Sequence, residues 1–260
     1  MMKHSKYFKM KHKFFLKLFF VLMMLALFSN ESAAQFFFRG GYSLGMCNPK
    51  EINRVIYIHN QINSNWYASG NEMQKVNTLG GIHIAMGSEV EENSGFEFSW
   101  SNKHHVSKAD FVFNGETIHR YLKVRTNNFS IGFYGGSAAI AFGGSLDFGN
   151  MKGFYKRAPE DSIKSKDYVS VFQNQLDYGS TNDKADHDIL RTAQMGFTPF
   201  IQLRAGPAGL RLFYQWQFMN LGIDNLDNKL LGADIEQDNQ LQDRLSNFGL
   251  LFFLQLGGYK

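Results

Sequence analysis

Histidine, serine and acidic side chains are the groups from which catalysis would be expected, and the segment His104–Ser107 brings two histidines and a serine together. A nucleophilic serine needs a histidine within hydrogen-bond reach and a further group that orients the imidazole ring. No acid stands where it would complete such a set. We therefore predict that the protein is not an enzyme.

The histidines also raise the question of a metal site, since imidazole is a common metal ligand. His104 and His105 are adjacent in an alternating segment, so their side chains point to opposite sides of a strand and cannot share one ion. His119 is predicted to form an ordinary cross-strand pair with Asp110. The sequence predicts no metal and no cofactor.

A second set of charged residues stands between large apolar residues in segments that alternate with period two. Such alternation is typical of strands whose two faces contact different environments. The polar face is small or uncharged with a few charges of both signs, which predicts a network of ion pairs. Its predicted members are Arg39, Glu97, Asp147, Arg204 and Arg211.

A turn centred within 206–209 would place Arg204 opposite Arg211, and two like charges there need neighbouring acids, for which Asp147 and Glu97 are the candidates. Two interpretations of this polar face remain open. It is either a structural network that fills the interior of the fold, or a gated polar path for protons or ions.

Eight alternating segments must position these charges. Three connections are short (91–94, 135–138 and 206–209), and three are long (49–76, 158–188 and 223–243). If each connection reverses the chain, the short turns lie at one end and the long segments at the other, where apolar residues predict short helices or strands. This pattern predicts an all-β fold, an eight-stranded antiparallel up-and-down transmembrane β-barrel. The predicted strands are 35–48, 77–90, 95–113, 116–135, 138–157, 189–205, 209–222 and 244–259.

The Asn-Gly pair at 114–115 predicts a two-residue hairpin, which sets Phe98 opposite Ile131 and Trp100 opposite Phe129. The large residues of both strands then share one face, and a one-residue slip would destroy this match. A dozen large rings do not fit easily inside eight strands, so we expect this face to contact lipid. The residues predicted to face lipid are Phe96, Phe98, Trp100, Phe129, Ile131, Phe133, Ile201, Tyr214 and Trp216.

Residues 1–34 have the layout of a secretory signal peptide, with a lysine-rich start, an apolar run and small residues before a cleavage site near Ala34. This segment holds six of the 27 basic and one of the 23 acidic residues, so residues 35–260 carry 21 and 22 and a net charge of about −1. We therefore expect no nucleic-acid partner. The single cysteine, Cys47, excludes an intramolecular disulfide.

Residues 33–35 (AAQ) are followed by "FFFRGGYSLG", then by glycine-aromatic alternation and a final strand "FGLLFFLQLGG". With these features the chain resembles the outer membrane protein β-barrel family, which includes OmpA-type and PorT-like eight-stranded barrels, over residues 35–260. The resemblance implies a bacterial outer-membrane location. The last two residues, Tyr259 and Lys260, depart from the terminal aromatic of such barrels.

The third and fourth predicted strands hold about 18–20 residues, whereas a tilted strand spans a membrane with about 9–11. The hairpin at about 104–125 should therefore project beyond the membrane, and its free edge could add a partner strand. The expected partners are outer-membrane lipid or lipopolysaccharide and other envelope proteins, bound by a monomeric barrel. The candidate surface-interaction residues are His104, Lys108, Arg120, Lys123 and Arg125.

The sequence favours a non-enzymatic function in envelope structure or surface interaction, carried by the long loops and the projecting hairpin. The alternative that the resemblance implies is an accessory barrel of a secretion or assembly complex, since PorT-like proteins are associated with type IX secretion. A soluble periplasmic ligand-binding β-barrel and a narrow conductor are further alternatives. Detergent-free extraction would indicate the soluble barrel, and currents in planar bilayers the conductor.

Overall fold

A computed structural model describes residues 35–158 except 68–69, 92, 114 and 138, and residues 193–258 except 224–225, 227–229 and 231–241. Between these two stretches it describes only residues 169–170 and 173–174. The predicted signal peptide and most of the predicted long segments at 158–188 and 223–243 therefore lie outside the described residues.

Eight long antiparallel strands pair in chain order, and the last pairs with the first, so the sheet is closed. The prediction of an eight-stranded up-and-down β-barrel is confirmed. The strands are β1 (Gln35–Cys47), β2 (Thr78–Glu91), β3 (Ser94–Phe113), β4 (Glu116–Gly136), β5 (Ile140–Ala158), β6 (Ala193–Ala205), β7 (Ala208–Gln217) and β8 (Asn247–Gly257).

The register of β3 and β4 is the predicted one, with Phe98 opposite Ile131. Gly115 has a φ of +80°, as an Asn-Gly hairpin tip requires. The predicted register of β6 and β7 is wrong by two residues, because the turn consists of Gly206 and Pro207 alone. A positive φ at Gly206, followed by a proline, suits a two-residue turn.

The two-residue correction leaves every side chain on its predicted face, because the period of a strand is also two. It does separate two charges that were expected to meet. Arg204 lies opposite Gly209, and Arg211 lies opposite Gln202. The predicted Arg204–Arg211 pair is therefore wrong.

An external cap covers the end of the barrel opposite the short turns. Its main element is helix α1 (Lys50–Ile62), which follows β1 and lies in the segment 49–76, where short helices or strands were expected. The buried residues of α1 include Ile52, Val55, Ile56 and His59, at the spacing of one helical face, and Asn53 beside them. No helix among the described residues is long and apolar enough to cross a membrane.

The hairpin of β3 and β4 extends beyond the other strands, with 20 and 21 residues respectively. Its edges are paired within the chain. On one side β4 pairs with β5 as far as His119. On the other side, the amide of Asp110 donates to the carbonyl of Asn71 (3.1 Å), and the Ser107 hydroxyl donates to the carbonyl of Gln74 (2.7 Å). The expectation of a free edge is therefore wrong for this part of β3.

Two apolar clusters lie inside the fold. One joins α1 to the inner side of the hairpin and to Ile223, Leu226 and Leu230, and it fills the mouth of the barrel. The other lies toward the short turns and contains the inward rings of Phe37, Tyr134, Phe200, Phe213 and Phe253. Polar side chains of the lumen lie between them and also beside the second cluster, toward the short turns.

Gly81 tests how closely the strands approach one another. A Cβ at this inward position would overlap the backbone carbonyl of Asn102 on β3, whereas a Cβ at Gly40 would meet nothing within 4 Å. We expect Gly81→Ala to lower the free energy of unfolding by about 1–3 kcal/mol, because the backbone must move to accept the methyl group. Urea unfolding in detergent micelles measures this loss, and Gly40→Ala, the matched control, should unfold with the wild type.

Candidate functional site

The centre of the lumen is an ion triad in which Glu97 joins two arginines. Arg211 donates to both carboxylate oxygens of Glu97, from Nη1 (2.5 Å) and from Nη2 (2.8 Å). Arg39 donates from Nη1 to Oε2 of Glu97 (2.6 Å) and from Nη2 to Gln255 (2.7 Å). Two-point contacts of this kind fix orientation as well as charge. Three members of the predicted network therefore meet directly.

Both guanidinium groups of the triad are stacked on aromatic rings. Arg211 lies 3.8 Å from the ring centre of Phe200, and Arg39 lies 4.3 Å from that of Phe253 and 4.9 Å from that of Phe37. Cations are attracted to ring faces, most strongly where water is excluded. Because rings and carboxylate hold the arginines from several directions, the side chains have little freedom to move aside.

Arg204, the fourth predicted member, belongs to a separate pair nearer the short turns. Its Nη1 donates to Oε1 of Glu89 at 2.5 Å, and Tyr134 and Gln255 donate to the same oxygen at 3.1 Å. The sequence reasoning missed Glu89. Glu89 lies six residues from His83 on β2, so the alternation places both side chains on the inward face. Because Glu89 stands next to a turn, its carboxylate was not expected inside the lumen.

Asp147, the fifth predicted member, does not contact an arginine. It accepts hydrogen bonds from Ser145 (3.0 Å), Thr198 (2.5 Å) and Gln215 (3.0 Å). The buried cation on this level is Lys103, which donates to Gln215 (2.9 Å) and to Asn247. Lys103 was also missed, although it lies an even number of residues from Glu97 on β3.

A cavity of about 50 Å³ lies on the level of Asp147 and Lys103. It is large enough for about three water molecules. Hydroxyl groups, the imidazole of His83 and charged side chains line it, including Ser43, Ser99, Ser101, Lys103, Ser130, Asp147 and Arg211. The apolar cluster under α1 lies on one side of it, and the triad with its stacked rings lies on the other. Among the described residues, no three His, Cys, Asp or Glu side chains are grouped as metal ligands would be.

The external cap is tied to the barrel by polar contacts as well as by its apolar core. Asp243, just before β8, accepts a hydrogen bond from the amide of Ile52 in the first turn of α1 (2.9 Å). Helix amides in the first turn lack partners within the helix, so a carboxylate stabilises this end. Burial raises the pKa of the Asp243 carboxyl, and the backbone donors act against this effect.

His59, on the buried face of α1, joins the helix to the hairpin. Its Nε2 accepts a hydrogen bond from Nη1 of Arg120 (2.8 Å), and its Nδ1 lies 3.0 Å from the hydroxyl of Tyr67. Arg120 also stacks over Phe111, with 4.1 Å to the ring centre. Burial, together with the Arg120 guanidinium, lowers the pKa of His59 to about 4.

The structure divides the five candidate surface-interaction residues. Arg120 is on the inner side of the hairpin against His59, so its prediction as a surface residue is wrong. Lys108 forms an ion pair with Asp110 (3.2 Å), which also contacts His119 (2.6 Å). The other three, His104, Lys123 and Arg125, lie on the outer side of the hairpin.

The nine residues predicted to face lipid all lie on the outer side of the barrel. Seven are exposed, and Phe96 and Trp100 are half-buried. The apolar sequence of β8 did not show which of its side chains point inward. In the structure Leu251 and Phe253 point inward, and Phe252 and Leu254 point outward.

No protein-family model matches the sequence, and no curated protein matches it. Among solved structures, the chain is similar to Ail, the attachment invasion locus protein of Yersinia pestis, with 9% identity over 86% of this chain and 99% of that one. The TM-score is 0.41 for Ail in complex with the heparin analogue sucrose octasulfate and 0.38 for a second Ail structure. The fold assignment rests on the strand topology itself.

The triad predicts a strong dependence of stability on Glu97. Glu97→Gln should lower the free energy of unfolding by about 3–5 kcal/mol, because it leaves two buried guanidinium groups without a counter-charge. Glu91→Gln removes an exposed carboxylate from the end of β2 and should have little effect. Urea midpoints of both variants in detergent micelles measure the difference, and equal midpoints would contradict a stabilising role for the triad.

The cap should loosen in acid. His59 has a pKa of about 4 when α1 is docked, and an ordinary value of about 6.5 is expected when the segment is released. The released state binds more protons between these values, so docking is strongest above pH 6.5, weakens as the pH falls to 4 and then levels off. The loss is on the order of 3 kcal/mol.

Hydrogen exchange of the amides in Lys50–Ile62, corrected for intrinsic rates at each pH, measures this loosening. In His59→Gln, whose side-chain oxygen can still accept from Arg120, protection should change little over the same range. An equal loss of protection in both proteins would assign the effect to another group.

Proposed function

We propose that the protein is an integral outer-membrane β-barrel whose lumen is sealed. It has no catalytic role and acts by binding partners through its external cap and projecting hairpin. The observation that carries this proposal is the outer face of the barrel. Large apolar side chains cover it on all eight strands, with exposed fractions of 65% for Phe133, 60% for Phe129 and 52% for Trp216. Such a band in water would far exceed the apolar patches of soluble monomers.

The distribution of charge supports the same conclusion. Glu97 and Arg39 are 1% and 0% exposed, while rings on the same strands point outward. A soluble ligand-binding barrel would require the opposite arrangement, with charges outside and the large apolar face inside. A bilayer provides the apolar surroundings that this outer face needs, and the closed sheet satisfies its backbone groups.

The filled lumen argues against conduction as the function. The triad, its stacked rings and the apolar cluster under α1 occupy the interior, and eight strands enclose room only for side chains. Aqueous channels occur in barrels of about 16 strands or more. The surface available for a partner is therefore that of the cap and the hairpin, which hydrogen bonds of Asp243 and His59 join to the rest of the fold.

A cysteine-labelling experiment tests the orientation. Thr117→Cys places a thiol on the exposed hairpin, and Ala208→Cys places one beside the short turn of β6 and β7, while the native Cys47 is buried. In bacteria expressing the full chain, a membrane-impermeant maleimide should label Thr117→Cys in intact cells. It should label Ala208→Cys only after the outer membrane is permeabilised.

Labelling of both positions in intact cells, or extraction of the protein without detergent, would overturn the membrane-spanning proposal. The sealed lumen has its own test, since the purified barrel in planar bilayers should give no currents above the baseline. Co-purification with other envelope proteins after mild detergent extraction would favour the accessory barrel of a secretion or assembly complex over a free-standing surface protein.

A further inference from the structure

Three consecutive rows of outward side chains cross β3, β4 and β5, and their chemistry changes in order. The register places one residue of each strand in every row. We call them the aromatic row, the amide row and the cationic row, in order toward the cap. They are Trp100, Phe129 and Phe148, then Asn102, Asn127 and Asn150, then His104, Arg125 and Lys152.

Side-chain hydrogen bonds join the amide row to the aromatic row on one side and to the cationic row on the other. The indole Nε1 of Trp100 donates to the side-chain oxygen of Asn127 at 2.6 Å. Arg125 donates from Nε (3.0 Å) and Nη2 (2.6 Å) to the side-chain oxygen of Asn102, with that amide turned to face the guanidinium. Indole rings with one apolar side and one polar atom are typical of membrane interfaces. The cationic row is thus held just beyond the apolar band.

The cationic row concentrates like charges. Arg125 lies directly opposite Lys152 on one side and His104 on the other, and Lys123 is in the next row. Like charges directly opposite in a sheet are destabilising. Among the described residues, no carboxylate forms an ion pair with Lys123, Arg125 or Lys152. Burial, together with the neighbouring Lys123 and Arg125, lowers the pKa of His104.

The cationic row also ends on both sides of these three strands. Toward β2 and β1 it continues into Gly80 and Leu44, which carry no charge. On the other side, β6 pairs with β5 only as far as Asn150, one row short of Lys152. Among the described residues, the charge therefore forms a patch on one side of the barrel and not a continuous belt.

We propose that this patch binds the phosphate groups of a glycolipid in the outer leaflet, with the acyl chains of the lipid lying along the aromatic row. The inference rests on the membrane-spanning orientation proposed above. Phosphate oxygens supply the counter-charge for Lys123, Arg125 and Lys152, and a guanidinium can contact a phosphate with two parallel hydrogen bonds. The adjacent rings provide the apolar surface that a lipid needs and a free anion does not.

The test uses the purified full chain in zwitterionic detergent micelles with chelator. Samples are heated and run on a gel, and the temperature at which the band of the folded protein disappears is measured. Bisphosphorylated lipid A should raise this temperature, because a ligand of the folded state stabilises it. The triple variant Lys123→Gln, Arg125→Gln, Lys152→Gln should need at least tenfold more lipid for the same rise. The control Lys50→Gln, Arg54→Gln, Lys75→Gln removes the same charge from exposed positions elsewhere and should respond like the wild type.

Two further probes identify the source of the phosphate. Dephosphorylated lipid A should have little effect, and inorganic pyrophosphate at the same phosphate concentration should also have little effect. Equal stabilisation by dephosphorylated lipid would overturn the role of the cations, and equal stabilisation by pyrophosphate would overturn the lipid assignment. A triple variant that responds fully would also overturn the proposal. Surface labelling of Thr117→Cys in the triple background keeps this result separate from a failure of the membrane-spanning orientation.

Discussion

Each strand of this barrel must satisfy two environments at once, because successive side chains point to opposite faces of a sheet that closes on itself. On β3 the residues on one face are Glu97 and Lys103, and on the other Phe98 and Trp100. The outward face becomes stable only in an apolar medium, and the inward charges become stable only when they meet one another. Glu97 meets the second condition by joining Arg39 and Arg211 across the lumen.

The fold could be predicted from the sequence because this alternation repeats on eight strands, and the Asn-Gly tip fixed one hairpin register. The predicted register of β6 and β7 was displaced by two residues, because Gly206 and Pro207 form a shorter turn than the turn predicted over 206–209. The assignment of side chains to the two faces stayed correct despite this error, but the predicted pairing of Arg204 with Arg211 was wrong. Residue spacing alone assigns a side chain to a face, whereas its height along the lumen depends on the register of every strand between it and its partner.

Glu89 and Lys103 are inward-facing charges that the sequence did not identify as members of the polar network. Their spacing placed them inside, but one stood beside a turn and the other beside the projecting hairpin, where charges were expected to be solvated. The inward position of Arg120 could not be foreseen either, because it depends on a helix that folds back over the hairpin. Contacts between the cap and the barrel join segments with no periodic relation to each other, so they are found only in three dimensions.

The hydrogen bond between Ile52 and Asp243 joins residues 191 positions apart, and the first strand also pairs with the last. The start of α1 therefore obtains its acceptor only from the C-terminal part of the sequence, as β1 obtains its last neighbour. Closure of the seam and docking of the cap thus depend on the same final segment, and a chain truncated before Asp243 would lack both.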